Sequence, residues 1–369
     1  MGLESVLKDE IKKFGYKVKD VQNGKLFFSG NFYDIAFCNI NLRTAGKIYL
    51  VLDNFYLDDF DDLYDNIFNK KWDEYIKYDS KINVYARTSK SKIKSKRSIQ
   101  SITKKAIIDR LSKEYNINQF EETGDDFSIR IDVYKNNARI LVNSSGKGLH
   151  RRGYRKETGV APLRETLAAG LILLSGWNKN FYFVDPFCGS GTLIIEAALI
   201  GMNIPPGINR DFAFLNWKKY PVYLYDKAKN ISQKAIEKNI DLNILGTDIN
   251  YGLIQRAEEN LKEAGVEGKV NLKQMALKDF SFPDEKGFIV TNPPYGERIE
   301  NSERIDYLYQ LMGEKFSGEP GWSINILTAV ENFRDLFGRK EDKNRKLYNG
   351  NIKTYFYQYY YAKKRKRHK

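Results

Sequence analysis

Apolar positions near the amino terminus recur at helical spacing: Leu3, Val6, Leu7, Ile11 and Phe14 share one face, and Gly15 stops the run. The pattern then shortens. Strand-like stretches follow at 25–30 and 46–55, and the acidic cluster 57–65 opens a helix whose amino-terminal dipole favours carboxylates. Residues 81–88 alternate as a strand does, 89–111 pass from a basic loop into a helix, and 126–146 read as a hairpin around Asn136-Asn137. The first 150 residues are thus α+β, without repeats or low-complexity linkers.

From about residue 160 strands alternate with apolar helices. The pattern predicts helices at 162–174, 191–201 and 251–265, and strands at 181–187, 243–249, 269–275, 288–294, 323–329 and 352–361. That alternation implies a mostly parallel sheet with helices on both faces. A short turn at Asn349-Gly350 makes the last strand one arm of an antiparallel hairpin. Residues 202–242 read as an insertion. The expected fold class is α/β, with an α+β region ahead of it.

A chain of 369 residues has room for two or three domains. With 61 Lys+Arg against 47 Asp+Glu, the formal charge of +14 favours a polyanionic partner such as nucleic acid, although it also fits plain solubility. The densest basic stretch supplies candidate phosphate contacts in Arg87, Lys92, Lys94, Lys96 and Arg97; a solvated face reads the same way. The basic tail 363–369 reads as a disordered end. His150, Arg151, Arg152 and Arg155 sit between the halves and suit either an interdomain salt-bridge cluster or RNA phosphates, with Arg151 and Arg152 as the RNA candidates.

Other classes fall away. Two cysteines, Cys38 and Cys188, make no disulfide framework or Cys-rich zinc site, and two histidines exclude a His-based metal or triad mechanism. The amino terminus reads as an amphipathic helix rather than a signal peptide, and no apolar run approaches the ~20 residues of a membrane span. A soluble, cytoplasmic protein is expected.

The chemistry gathers at strand ends. Asp185-Pro186-Phe187-Cys188-Gly189-Ser190-Gly191-Thr192 joins a strand to a helix, and its glycines let the backbone turn tightly and approach a ligand. Ile194 stands where a dinucleotide fingerprint wants its third glycine, so a dinucleotide is disfavoured. Asp185 would suit an ammonium instead. Asp248, followed by Ile249, ends the next strand and could accept both hydroxyls of a ribose; Asp279 could accept from an adenine amine, with Phe280 beside the ring. Asn292-Pro293-Pro294-Tyr295 follows a fourth strand, where proline marks the strand's carboxyl end. Each aspartate alone reads as a cap or surface charge. The set reads as one crevice for amino acid, ribose, adenine and a planar target.

That set resembles the Rossmann-like, S-adenosylmethionine-dependent methyltransferases that act on exocyclic base amines. With residues 148–177 and "NPPYGER", the chain looks like the bacterial THUMP-domain ribosomal-RNA guanine-N2 methyltransferase family. The resemblance implies a ferredoxin-like segment over 1–52, short of its first strand, a THUMP RNA-binding domain over 53–150, and a single methyltransferase domain over 151–369. It implies S-adenosylmethionine as cofactor, S-adenosylhomocysteine as product, and large-subunit ribosomal RNA as partner, with no metal and no membrane. Asn292 and Pro293 would hold the target amine and Tyr295 would stack on the base. Leu163 and Arg164 would border the methionine end of the cofactor, by resemblance only, while Glu297 and Arg298 read as structural. A tRNA enzyme of the same architecture, a DNA adenine-N6 enzyme and a non-catalytic RNA-binding protein remain alternatives.

Overall fold

The computed structural model describes residues 2–155, 163–295, 302–317 and 319–360. Glu297, Arg298 and the basic tail lie outside the described residues. Helix α1 (Glu4–Lys13) precedes a two-stranded antiparallel sheet of β1 (Val18–Gln22) and β2 (Lys25–Phe28). Helix α2 (Phe32–Asn41) follows, started by a capping box in which Asn31 accepts from the Asp34 amide and Asp34 accepts from the Asn31 amide.

The next unit is a four-stranded sheet in the order β3-β6-β5-β4, formed by β3 (Tyr49–Tyr56), β4 (Lys81–Ser89), β5 (Asp126–Tyr134) and β6 (Asn137–Asn143). The β5–β6 hairpin turns at Lys135-Asn136, both left-handed, one residue before the expected position. Helices α3 (Phe60–Phe68) and α4 (Lys96–Tyr115) bury Leu63, Ile67, Ile99 and Ile107 in one cluster with Ile129, Ile131 and Ile140 of the sheet.

The second half is a seven-stranded sheet in the order β12-β13-β11-β10-β7-β8-β9. Its strands are β7 (Tyr182–Asp185), β8 (Ile244–Asp248), β9 (Asn271–Gln274), β10 (Gly287–Thr291), β11 (Trp322–Thr328), β12 (Lys343–Asn349) and β13 (Ile352–Tyr359). The first five are parallel, and β13 runs antiparallel to both its neighbours, as the Asn349-Gly350 turn requires. Helices α5 (Glu165–Ser175), α6 (Thr192–Gly201) and α8 (Tyr251–Glu263) pack on one face; α9 (Ser302–Phe316) and α10 (Phe333–Phe337) pack on the other. The chain runs β7, β8, β9 to one side and returns to β10 on the other, so the switch point lies between β7 and β10. Ligands of open α/β sheets bind outside the strand ends there.

The insertion packs across the division near residue 150. Residues 202–242 carry α7 (Val222–Lys234), and Ile208, Phe212, Phe214, Trp217 and Tyr220 join the core of the first half. Asn41 of α2 donates to Ser232 of α7 at 2.8 Å. Conversely, Leu3, just before α1, packs against the second half's core. The boundary in sequence is therefore not the boundary of packing.

Candidate active site

Four backbone stops assemble the site. Strand β7 ends at Asp185, which is 2% exposed. Its Oδ1 accepts from the Phe187 amide at 3.1 Å and from the Thr291 hydroxyl, at the tip of β10, at 2.6 Å. Burial pushes the Asp185 carboxyl up to about 7, although both hydrogen bonds pull the other way; the Asp248 charge adds to the rise.

The turn after β7 is held on every side. The Cys188 amide donates to the Thr247 carbonyl, the Gly189 amide to Asp248 Oδ2 at 3.0 Å, and Asn260 of α8 to the Ser190 carbonyl. Gly189 and Gly191 have φ of +53° and +87°, a region L side chains seldom adopt. A Cβ at Gly189 would enter open space, whereas one at Gly191 would lie 3.1 Å from the Ala257 Cβ. Gly191 is thus required by packing as well as backbone, and Gly189 by its left-handed backbone alone. Thr192 opens α6 and is buried; Arg155 donates to its hydroxyl and, at 3.3 Å, to the Leu163 carbonyl, which brings Leu163 beside the turn.

Asp248 ends β8 and accepts from the Gly189 and Asn250 amides; burial raises its pKa and those hydrogen bonds oppose the rise. Ile249 beside it is 70% exposed, an apolar side chain left open at the strand tip. Asn292 follows β10. Its Oδ1 is buried without a hydrogen-bond partner among the described residues. Such an atom loses its hydration without compensation. Tyr309 of α9 donates to the Pro294 carbonyl at 3.4 Å and shares a 2.8 Å hydrogen bond with Thr328, so the double-proline turn is gripped from behind.

The set fits S-adenosylmethionine: a buried carboxylate for the ammonium and a half-buried one for hydroxyls, an open apolar side chain for a ring, and space over Gly189.

Several expectations need correction. Phe280 is buried, packed edge-on against Phe282 and Phe316, so its ring is committed to the core and cannot flank an adenine as placed. Asp279 is exposed one residue earlier, in the turn after β9. Tyr295 is only 6% exposed, so stacking on a base requires its face to be uncovered first. Arg164 is exposed and its amide donates to Asn349 Oδ1. Arg152 is no phosphate ligand: it is buried, donates to the Leu149 and Arg43 carbonyls, and pairs with Glu196. Arg155 is likewise committed, to Thr192 and Glu165. His150 lies half-buried among Arg164, Arg151, Arg152 and Arg210; burial first, then those cations, lowers its pKa to about 4, so it is neutral at pH 7.

Arg87, Lys94, Lys96, Arg97 and Arg151 are exposed. Lys92 is exposed too but pairs with Asp58. Burial drives the Cys188 thiol pKa far above the ordinary range, leaving it inert. Sequence reasoning missed Thr291 and Tyr309. Thr291 carried a signal: a polar residue directly before Asn292, at the inward end of an otherwise apolar strand.

Among the described residues no group of three or more His, Cys, Asp or Glu could hold a metal ion, and no helix is long and apolar enough to cross a membrane.

The comparisons with known proteins agree with this architecture. Residues 152–358 match the model of the RMKL-like methyltransferase domain, residues 1–49 the RlmL ferredoxin-like domain and residues 58–143 the THUMP domain. "Putative RNA methyltransferase YpsC" of Bacillus subtilis (strain 168) is 42% identical over 98% of this chain and 94% of its own length. "Ribosomal RNA large subunit methyltransferase K/L" of Shewanella frigidimarina (strain NCIMB 400) is 32% identical over 96% of the chain, which spans only 51% of that longer relative. Two solved structures superpose closely. SMU.472, "a putative methyltransferase complexed with SAH", is 40% identical with a TM-score of 0.90, covering 98% of this chain and 96% of its own. A Listeria monocytogenes str. 4b F2365 protein named "a predicted N6-adenine-specific DNA methylase" is 39% identical with a TM-score of 0.91, covering 98% and 94%. The chain belongs to the RMKL-like methyltransferase family, its methyltransferase domain preceded by RlmL ferredoxin-like and THUMP domains.

Proposed function

We propose that this protein is an S-adenosylmethionine-dependent RNA methyltransferase that methylates the exocyclic N2 of guanine, with large-subunit ribosomal RNA as its substrate. The observation that carries the reading is the buried, unpartnered Oδ1 of Asn292, set beside the strand tips that bear Asp185 and Asp248.

The cofactor, when bound, supplies a methyl group on a sulfonium. The protein's own residues do the rest. Asp185 would receive the ammonium of the amino-acid part, Asp248 the ribose hydroxyls, Ile249 one face of the adenine, and Asp279, in the turn after β9, its amine. The N2 lone pair of guanine is delocalised into the ring and is a poor nucleophile. The Asn292 Oδ1 and the Pro293 carbonyl accept from its two N–H groups, localise that lone pair and stabilise positive charge as it develops. The proton is lost to solvent once the new C–N bond has formed. Tyr309 and Thr328 keep the acceptors rigid, and positioning supplies much of the rate. Tyr295 stacks on the extruded base once its ring is uncovered.

The names of the relatives support RNA, and the large-subunit K/L relatives support ribosomal RNA. The same reading puts the site of action in the cytoplasm, where the ribosome is assembled. The test is methyl transfer from labelled cofactor to large-subunit rRNA, tRNA and DNA, with the nucleosides identified by mass spectrometry. N2-methylguanosine from rRNA supports the reading. N6-methyladenine in DNA, or no modified nucleoside from any substrate, overturns it.

A further inference from the structure

The peptide unit joining Leu163 to Arg164 ties two turns of the second half together. Its carbonyl accepts from Arg155 Nη2, which also donates to Thr192 just after the glycine turn, and its amide donates to Asn349 Oδ1 at 3.3 Å. Asn349 closes β12 where the chain turns into β13. Thr328, the last residue of β11, lies opposite Tyr355 of β13, so that turn stands at the end of the sheet where β10 and β11 also end. Helix α5, which begins at Glu165, packs on β10. The Arg164 guanidinium lies over the β12–β13 turn: a Cβ on Gly350 would be 3.8 Å from its Nη2. Arg164 thus belongs to the rim of the crevice, on the opposite side of β10 from Asp248.

Positive charge gathers at this corner. The charged groups that act on His150 are Arg164, Arg151, Arg152 and Arg210, and every one is a cation. The carboxylates of the junction are already used, Glu196 by Arg152 and Glu165 by Arg155, and at the same rim the exposed Glu331 is paired with Lys353. Arg151 and Arg164 are exposed and have no ion pair among the described residues. The corner is also held from beneath. Buried Arg210, from the insertion, donates to the Gly148 carbonyl at 3.0 Å, to the Lys147 carbonyl at 3.1 Å and to the Arg151 carbonyl, which pins the turn that carries His150 and Arg151. Burial and then Arg152 lower the Arg210 pKa to about 10, although Glu165 pulls the other way. Cations so grouped repel one another, and an anion from outside the chain relieves the repulsion.

We propose that Arg164 and Arg151 form a seat for a backbone phosphate of the RNA beside the extruded guanine. The proposal rests on RNA guanine being the substrate. Strand β13 lies two strands from β10, about 10 Å at the spacing of paired strands, which is of the order of one nucleotide from base edge to phosphate. Extruding a base gives up its stacking, and a grip on the adjoining backbone holds the strand open. A guanidinium fork takes phosphate oxygens two at a time, which fixes the register of the strand over Asn292 without reading its sequence. The insertion then has a part in the reaction, because its Arg210 fixes the turn on which Arg151 stands.

The test is binding of in-vitro-transcribed large-subunit rRNA to the full chain over a salt series, with steady-state methyl transfer on the same preparations. Arg164→Ala should weaken RNA binding about tenfold and flatten the slope of log affinity against log salt by about 0.7, the change for one lost single-strand phosphate contact. Arg151→Ala should flatten the slope likewise. Arg164→Lys should keep the slope, because the charge remains, while losing part of the affinity with the fork. Both alanine variants should raise KM with kcat within about threefold, since the phosphate is held alike before and during the reaction. Affinity for S-adenosylhomocysteine and melting temperature should not move. Alanine variants with the wild-type slope and KM overturn the seat, as does a lysine variant whose slope flattens as far as that of Arg164→Ala. Loss of S-adenosylhomocysteine affinity in Arg164→Ala also overturns it and puts that side chain on the cofactor. Flattened slopes in the alanine variants, with no RNA methylated by the wild type, remove the enzyme and leave the seat.

Discussion

The Thr291 hydroxyl donates a 2.6 Å hydrogen bond to the Asp185 carboxylate, so the tip of β10 is tied to the tip of β7 where the two strands flank the switch point. One strand end carries the group for a cation and the other leads into Asn292. In the proposed reading the bond would make cofactor seat and target seat a single piece of structure.

A pH dependence follows. The Asp185 carboxyl is raised from an ordinary 3.8 to about 7, so between those values the folded protein holds a proton that the unfolded chain has lost. Its contribution to stability is full below about pH 4 and is lost as pH rises through 7. An ammonium seated on Asp185 needs the carboxylate, so binding must expel that proton. The affinity for S-adenosylhomocysteine should rise with pH from about 5.5 to 7 and level off above, with proton release seen by calorimetry in buffers of different ionisation heat. Asp185→Asn should bind weakly without that slope. A flat wild-type profile contradicts the assignment.

Asn292→Ala should reduce methyl transfer by about 10²–10³-fold, the loss expected when one oriented polar group is removed from a site of charge development. Affinity for S-adenosylhomocysteine should change less than threefold, because Asn292 faces the target. Equal losses in both would make Asn292 part of the cofactor seat.

The two glycines separate binding from folding. Gly189→Ala places a methyl in open space and carries only the left-handed backbone penalty, about 1 kcal/mol, yet it should weaken cofactor binding. Gly191→Ala adds a contact at 3.1 Å with Ala257 and should lower the melting temperature further. If Gly189→Ala binds cofactor normally, the space above that turn is not the cofactor's.

Arg152 and Arg87 should behave as opposites. Arg152→Ala leaves the fully buried Glu196 without its cation and should destabilise the chain by about 3–5 kcal/mol in denaturant unfolding. Arg87→Ala, on the exposed edge strand, should stay within about 0.5 kcal/mol and weaken RNA binding alone. A stable Arg152→Ala chain with weakened RNA affinity would return Arg152 to the surface role expected from its sequence neighbourhood.

The strand-end motifs were legible because each is local. A turn rich in glycine, an aspartate closing an apolar run and a double proline all declare themselves within a few residues. What was lost is non-local. Phe212, Phe214 and Trp217 look like core residues wherever they are placed, and nothing in their spacing says that they pack against the other half of the chain. Arg152 and Arg151 are adjacent in sequence, but only the fold decides that one meets Glu196 and the other water. Helix α2 went unread because its aromatic and β-branched residues weaken the helical pattern; the Asn31–Asp34 capping box starts it regardless. Strand β1 has only two apolar residues in five, three positions apart and so out of strand alternation, and pairs only with β2.

The central claim is that one crevice seats the cofactor and the acceptor amine together. A crystal structure with S-adenosylhomocysteine tests it most directly. The account predicts the ligand's ammonium on Asp185, its ribose on Asp248, and its sulfur turned toward the side-chain oxygen of Asn292. A ligand bound away from those aspartates, or a sulfur pointing away from Asn292, contradicts it.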